Sequence, residues 1–300
     1  MAGQGLVLAA ALLLQGDPEF DAWASFKVGS LVKRRTVDHL SGTDAKERVE
    51  TFTLRKFDGE VCEVERARES AEPSIEAFKR PPLQTKHDLG AEDMRIGDKV
   101  YKCQIQRTTY SIEKAVLTVQ RWLCEGAPVP GGRLREIQEV RSGTYSQKQT
   151  AEVASIREGV ELTLEGRKVS CTVYEEDSRR IGWNEPRRRK SWYAKDAPAP
   201  NGIVRWTESY TQGEGKFTWS VNVFGGEKAK VGDREVESWR QVTALEKGST
   251  RSKDWKSREQ RVEIFSREVP GWLIRSELSR EGSEGAFTGT VETLDVQVQK

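Results

Sequence analysis

Between Lys216 and Val223 the chain alternates without a break. Phe217, Trp219, Val221 and Val223 are apolar, and Lys216, Thr218, Ser220 and Asn222 are polar. A period of two over this length predicts a strand with one buried and one solvated face. The alternation returns at Tyr101, Cys103 and Ile105, and again at Val169, Cys171 and Val173. Gly, Pro and Asp punctuate such runs. Asp58-Gly59, for example, is a strong hairpin turn leading into Val61–Arg66. No helical period follows the first apolar run. The pattern predicts an all-β chain of antiparallel strands.

The pattern also recurs at a fixed interval. Pro270-Gly271-Trp272-Leu273-Ile274-Arg275 is preceded by Pro200-Asn201-Gly202-Ile203-Val204-Arg205 and by Pro130-Gly131-Gly132-Arg133-Leu134-Arg135, each about 70 residues earlier. Trp122, Trp192 and Val262 lie eight residues before the prolines. Gly143 and Gly213 correspond downstream, with Ser283 beside Gly282 and Gly285 in the last copy. Each copy opens on a short strand at Gly97-Asp98-Lys99-Val100, Gly166-Arg167-Lys168-Val169 or Gly232-Asp233-Arg234-Glu235-Val236. Spacing that slips only in loops marks a duplicated unit, here one of four strands. The copies span 96–157, 163–225 and 231–298. Gly29 to Lys33 resembles Gly271 to Arg275, so 17–67 reads as an N-terminal half-repeat of β-hairpins. The fold expected is about three and a half tandem repeats of about 70 residues in antiparallel sheets, curved or half-barrel-like. Residues 68–95, with Glu72-Pro73-Ser74 and Arg80-Pro81-Pro82 and few aliphatics, read as a polar, Pro-containing surface linker.

Composition sharpens this picture. Hydrophobic residues form 36% of the chain, below the usual share of about 45–50%, which argues against a thick two-sided core. Nine Trp supply much of the burial instead. The 49 basic and 47 acidic residues nearly cancel, so net charge gives no general pull toward nucleic acid or a membrane. Leu6–Leu14 reads LVLAAALLL. This run is too short to span a bilayer, which needs about 20 residues, and suits the apolar core of a signal peptide over 1–16. The expectation is an exported chain, periplasmic or extracellular, that is not an integral membrane protein once the leader is removed.

The candidate chemistry is sparse. His39 falls near a predicted turn and His87 in the linker, and neither has a metal-ligand neighbour at useful spacing. There is no nucleophile elbow, phosphate loop or dinucleotide fingerprint. No catalytic, metal or cofactor residue is assigned, no cofactor is expected, and the chain reads as a non-enzyme. A hydrolase on a β scaffold, with paired carboxylates in a cleft, is the least favoured alternative. Arg187-Arg188-Arg189-Lys190, beside Trp192 and Tyr193, has the composition of a nucleic-acid site. Positions 188, 190 and 192 would share a strand face, however, and Glu208 on the next strand would offset the charge, so no nucleic-acid partner is expected.

The cysteines are Cys62, Cys103, Cys124 and Cys171, without zinc spacing. Cys103 and Cys171 hold nearly equivalent places in two copies. Cys103 and Cys124 lie on strands that the repeat makes neighbours, which makes them the disulfide candidate for an exported chain. Four buried thiols are the alternative, and spacing leaves the choice open.

The opening W-x-x-F-K-x-G-S-x-V, Trp23 to Val32, resembles uncharacterised bacterial envelope proteins. So does the pairing of a G-x-K-x-x-x-C strand, Gly97 to Cys103, with a W…V-P-G-x-x-x-R segment, Trp122 to Arg135. The resemblance implies an exported, β-rich protein without an assigned activity. More distantly, the layout is similar to lipoprotein-carrier half-barrels, which hold acyl chains in a concave apolar face; this chain lacks their plugging helices. The expected function is a non-enzymatic envelope protein whose curved sheet binds an envelope protein or an apolar or lipid ligand. The face assigned to this is Trp192, Val204, Phe217, Trp219, Trp272 and Ile274. The alternative is a purely structural or adhesive repeat protein in which these residues form the core.

Overall fold

The computed structural model describes residues 18–299 apart from 69–70, 80–83, 113–114, 144, 181–184, 196, 198–201, 250–255 and 283–284. The expected leader, 1–16, lies outside the described residues. A short helix α1 (Pro18–Ala24) is followed by β1 (Leu31–Leu40), β2 (Lys46–Phe57), β3 (Val61–Arg68), β4 (Ala71–Lys79), β5 (Gln84–Ile96) and β6 (Lys99–Ile112). Next come β7 (Ala115–Cys124), β8 (Arg133–Ser142), β9 (Tyr145–Leu164), β10 (Arg167–Arg180), β11 (Arg187–Tyr193) and β12 (Ile203–Gln212). The chain ends with β13 (Gly215–Val231), β14 (Arg234–Ser249), β15 (Lys256–Phe265), β16 (Leu273–Gly282) and β17 (Gly285–Gln297). The class is all-β and every described strand pair is antiparallel. Among the described residues no helix is long and apolar enough to cross a membrane.

The chain divides into two compact units. One holds the described residues of 84–222 with 247–249. In it β5 to β12 pair each with the next, and β12 pairs with the first part of β13. β7 shows how this unit spreads a small apolar supply. Ala115, Leu117 and Val119 are buried on one face, and Trp122 and Cys124 on the other. The step from 119 to 122 is odd, and the β6–β7 ladder has no bulge to absorb it. The strand therefore changes its buried face partway along, at Arg121, which lies opposite Glu136.

The other unit holds the described residues of 18–81, 223–246 and 256–299. Its ladder runs β15, β16, β17, β1, β2, β3, β4. Its core gathers Phe20, Trp23, Val32, Leu54, Val64, Val231, Val236, Val269 and Ile274. The helix was not expected. Seven residues are too few to show a period or to be stable alone, and tertiary burial supplies what propensity does not. Trp23 is buried, Phe20 packs against Phe57 with ring centroids 6.1 Å apart, and the Gly271 N–H donates to the Ala22 carbonyl at 3.1 Å.

Residues 68–95 are not a linker: they carry β4 and β5. The apolar signal is missing because 71–77 and 85–93 are solvent-exposed, and ladder bonds to β3 and β6 define these strands instead. Pro73 falls in the register break where Arg66 pairs Ser74 and Arg68 pairs Ala71, a place that needs no ladder donor. His87 accordingly lies on β5, opposite Arg107, and His39 on β1, opposite Thr288.

Candidate functional site

The Pro-turn-aliphatic-Arg motif is a β-bulge. Trp122 pairs with Arg135 and Leu123 with Arg133, leaving Leu134 as the extra residue. Trp192 pairs with Arg205 and Tyr193 with Ile203, leaving Val204. Ile264 pairs with Arg275 and Phe265 with Leu273, leaving Ile274. The extra residue opposes no partner and tucks inward: Leu134, Val204 and Ile274 are only 1%, 4% and 4% exposed. On their other side the three arginines face Glu152, Asn222 and Glu292, again in one register. Val262, the position eight residues before its proline, lies opposite Glu277; Ile264 is the residue that holds the place of Trp122 and Trp192.

The turn before each bulge demands an unusual backbone. Gly132 and Gly202 have φ of 67° and 69°, in the left-handed region. A Cβ on Gly132 would stand 2.4 Å from the Cys124 carbonyl oxygen, and one on Gly202 2.4 Å from the Tyr193 ring. The third copy carries Trp272 there at φ 53°, a conformation costly for a bulky residue. Its indole meets Trp239 edge-on, centroids 6.5 Å apart, and Trp239 stacks on Phe265 at 5.7 Å.

Arginine caps the paired indoles. Arg135 lies 5.2 Å from the Trp122 centroid and Arg205 5.0 Å from that of Trp192. The Trp122 indole N–H also donates to Glu92 at 2.8 Å, and Glu152 accepts two bonds from Arg135 at 3.0 and 2.9 Å. Cys103 and Cys124, directly opposite on β6 and β7, form a disulfide. In the next copy Thr172 pairs with Tyr193, so Cys171 is brought level with Ala194 and stays a buried thiol, as does Cys62. Burial pushes the Cys171 thiol up.

A second cluster covers the other face of β10 to β13. The ladders place Glu176, Arg189, Glu208 and Trp219 in one row and Tyr174, Ser191, Trp206 and Val221 in the next. Arg189 holds Glu208 at 3.0 Å and lies 4.7 Å from the Trp206 centroid. Arg187 sits 3.6 Å from the Tyr210 centroid, and Tyr210 stacks on Phe217 at 5.1 Å. Glu208 thus offsets Arg187 and Arg189, not Arg188 and Lys190; these last two turn to Asp177 at 2.7 Å and Glu175 at 3.9 Å on the Trp192 face.

The structure separates the six residues assigned to one face. The bulge turns Val204 onto the Trp192 side, where both pack with Leu162 and Cys171. Phe217 and Trp219 alternate with Asn222 and so lie on the opposite face. Trp272 and Ile274 belong to the other unit. A bulge swaps faces on one strand only, and a period-two reading carries no sign of it.

Buried carboxylates are tied to arginine. Burial would push the Glu136 carboxyl up, but Arg133 at 3.2 Å and Arg121 at 2.6 Å hold it below the ordinary range. Arg133 also binds Glu176 at 2.9 Å. Glu50 is likewise held low against burial by Arg68 and by Arg66 at 2.9 and 3.0 Å. Glu263 goes the other way: burial pushes it up, and Arg261 at 3.9 Å offsets this only in part. Among the described residues no group of three metal-ligating side chains comes together.

Three surface cavities measure about 200, 320 and 150 Å³. The first is lined by Ile264, Ile274, Ala229, Arg275, Glu227 and Glu292 among others, the second by Val262, Leu278 and Thr288, the third by Pro186, Tyr210 and Lys216.

No family model and no curated protein matches the chain. Solved structures with some likeness are OccK10 (OpdN) of Pseudomonas aeruginosa, at 10% identity and TM-score 0.31 over 91% of this chain and 99% of that one, and OccK3 (OpdO) of the same organism, at 10% and 0.31 over 96% and 100%. OmpT of Vibrio cholerae with loop L8 deleted, an outer membrane protein, follows at 8% and 0.23 over 89% and 99%. Scores this low fall short of a shared overall fold.

Proposed function

We propose that the protein is a non-enzymatic, exported β-repeat protein of the cell envelope, and that it binds a partner through the arginine–aromatic face of β11 to β13. The observation that carries this is the placement of Trp206, Tyr210, Phe217 and Trp219. They are half-buried, on a strand face ruled by Arg187, Arg189 and Glu208. Large rings joined to arginine at a solvated surface are the side chains enriched at protein interfaces. Three and a half repeats of the bulged four-strand unit account for the common registers, and the resemblance to exported envelope proteins agrees with the location. A protein partner fits this face better than an acyl chain, because arginine and glutamate stand among its rings. A non-enzymatic role fits the Glu50 and Glu136 carboxylates, which arginine holds ionised.

The test is native mass spectrometry on protein expressed with its own first residues and recovered from the envelope fraction. The expected result is a mature mass with a bound partner that denaturation removes, and a loss of that partner in Trp219→Lys. A bare mass from that fraction favours the structural or adhesive role, and retention in the cytoplasm overturns the envelope reading.

A further inference from the structure

In two copies of the repeat an indole fills the space beneath the motif arginine; in the third that space is open. Ile264 holds the register of Trp122 and Trp192, opposite Arg275. It is a smaller side chain, and a cavity of about 200 Å³ opens against it, lined by Ile264, Ile274, Ala229, Arg275, Glu227 and Glu292. An enclosed apolar cavity of about 150 Å³ holds a benzene ring, so this one, open to solvent and edged also by Lys228 and Lys230, has a volume of the order of a bicyclic ring.

The walls repeat the surroundings of Trp122. Arg275 corresponds to Arg135, whose guanidinium covers the Trp122 ring. Glu227 lies five residues before the hairpin glycine Gly232, as Glu92 lies five before Gly97, and these glycines have φ of 57° and 59°. Glu92 is opposite Cys103 and accepts the indole N–H of Trp122. Ser238, which stands where Cys103 does, donates to the Glu227 carbonyl at 3.0 Å and so confirms the same cross-strand neighbour. The third copy holds its arginine differently. Arg135 is fixed by Glu152, whereas Glu292 binds Arg35 at 2.6 Å and Arg275 turns to Glu277 at 2.6 Å. The pocket therefore keeps a cation and a carboxylate acceptor, Glu227, which lies 3.8 Å from the Arg240 guanidinium where the first copy has Ile105, and it lacks the indole.

We infer that this cavity is a binding site for a planar aromatic ring carrying an N–H donor, of the indole class, seated on Ile264 and Ile274, with Arg275 over its face and Glu227 accepting its proton. The site is independent of the arginine–aromatic face proposed above. The ring is either a free small molecule or a tryptophan side chain of a polypeptide.

Calorimetric titration of the full chain with indole and with acetyl-tryptophanamide tests this, with cyclohexanol as an apolar, non-planar control. Saturable indole binding is expected at roughly 1 mM or tighter. Ile264→Trp should fill the cavity, raise the melting temperature and abolish binding. Arg275→Ala should weaken it roughly threefold to tenfold in a chain that still melts cooperatively. Tighter binding of acetyl-tryptophanamide than of indole assigns the ring to a polypeptide, and the reverse assigns it to a free ligand. Failure of both probes to saturate, equal binding of cyclohexanol, undiminished binding to Ile264→Trp, or a lower melting temperature for that variant overturns the assignment.

Discussion

Trp122 lies under Arg135, the guanidinium 5.2 Å from the ring centroid, directly across the β7–β8 ladder. The indole is 5% exposed and its N–H is bound to Glu92. Trp122→Ala removes a buried ring, its cation and its hydrogen bond together, and should cost about 3–5 kcal/mol. Trp219, half-buried opposite Glu208, should cost clearly less on the same change. Urea unfolding of the two variants checks this; equal losses would place Trp219 in the core and remove the basis of the proposed partner face.

Gly202 has no room for a side chain. With φ at 69° and the Tyr193 ring 2.4 Å from any added Cβ, Gly202→Ala should lose more than the roughly 1–3 kcal/mol that backbone strain alone accounts for. Gly42, at φ 83° with nothing within 4 Å, isolates the backbone part. Thermal unfolding of both alanine variants should rank Gly202→Ala well below Gly42→Ala.

The Cys103–Cys124 bridge closes a loop with a sequence separation of 21. Its removal by Cys103→Ser with Cys124→Ser should lower stability by about 3 kcal/mol. Thiol titration of protein unfolded without reductant should find two reactive thiols, those of Cys62 and Cys171. Four reactive thiols would mean that the pair is reduced.

Two glutamates, Glu136 buried and Glu263 partly so, should respond oppositely to pH. The Glu136 carboxyl is held below its ordinary 4.5, so its stabilisation is present above that value and is lost as pH falls through the folded one. Glu136→Gln should therefore destabilise at pH 7 and matter little in acid. Glu263 is raised above 4.5, so its contribution is present below that value and is lost as pH rises through the folded one. Glu263→Gln should stabilise at pH 7. Unfolding curves at neutral and acid pH give both signs.

Much of the strand layout was legible because one chain segment is enough to show it. Alternation at Phe217 to Val223 and the Gly turns at 97, 166 and 232 each lie within a few residues. The 70-residue interval was legible for the same reason. Its meaning was not: the aliphatic of the motif is the extra residue of a bulge, and a bulge exists only relative to a partner strand. Reading alternation through it merged Trp192 with Phe217 and Trp219, which lie on opposite faces. It also set Val262 where Ile264 stands.

The sequence by itself determined the all-β class, the turns and the alternation along single strands, since these follow from local backbone chemistry and a period of two. Only the tertiary structure decided the rest. β4 and β5 are strands because β3 and β6 pair with them, not because of an apolar pattern. α1 is a helix because Trp23 has a core to enter. Cys103 bridges Cys124 while Cys171 stays a thiol, because Ala194 is brought level with it. In each case a residue distant in sequence supplies the stabilisation, and no local window contains that partner.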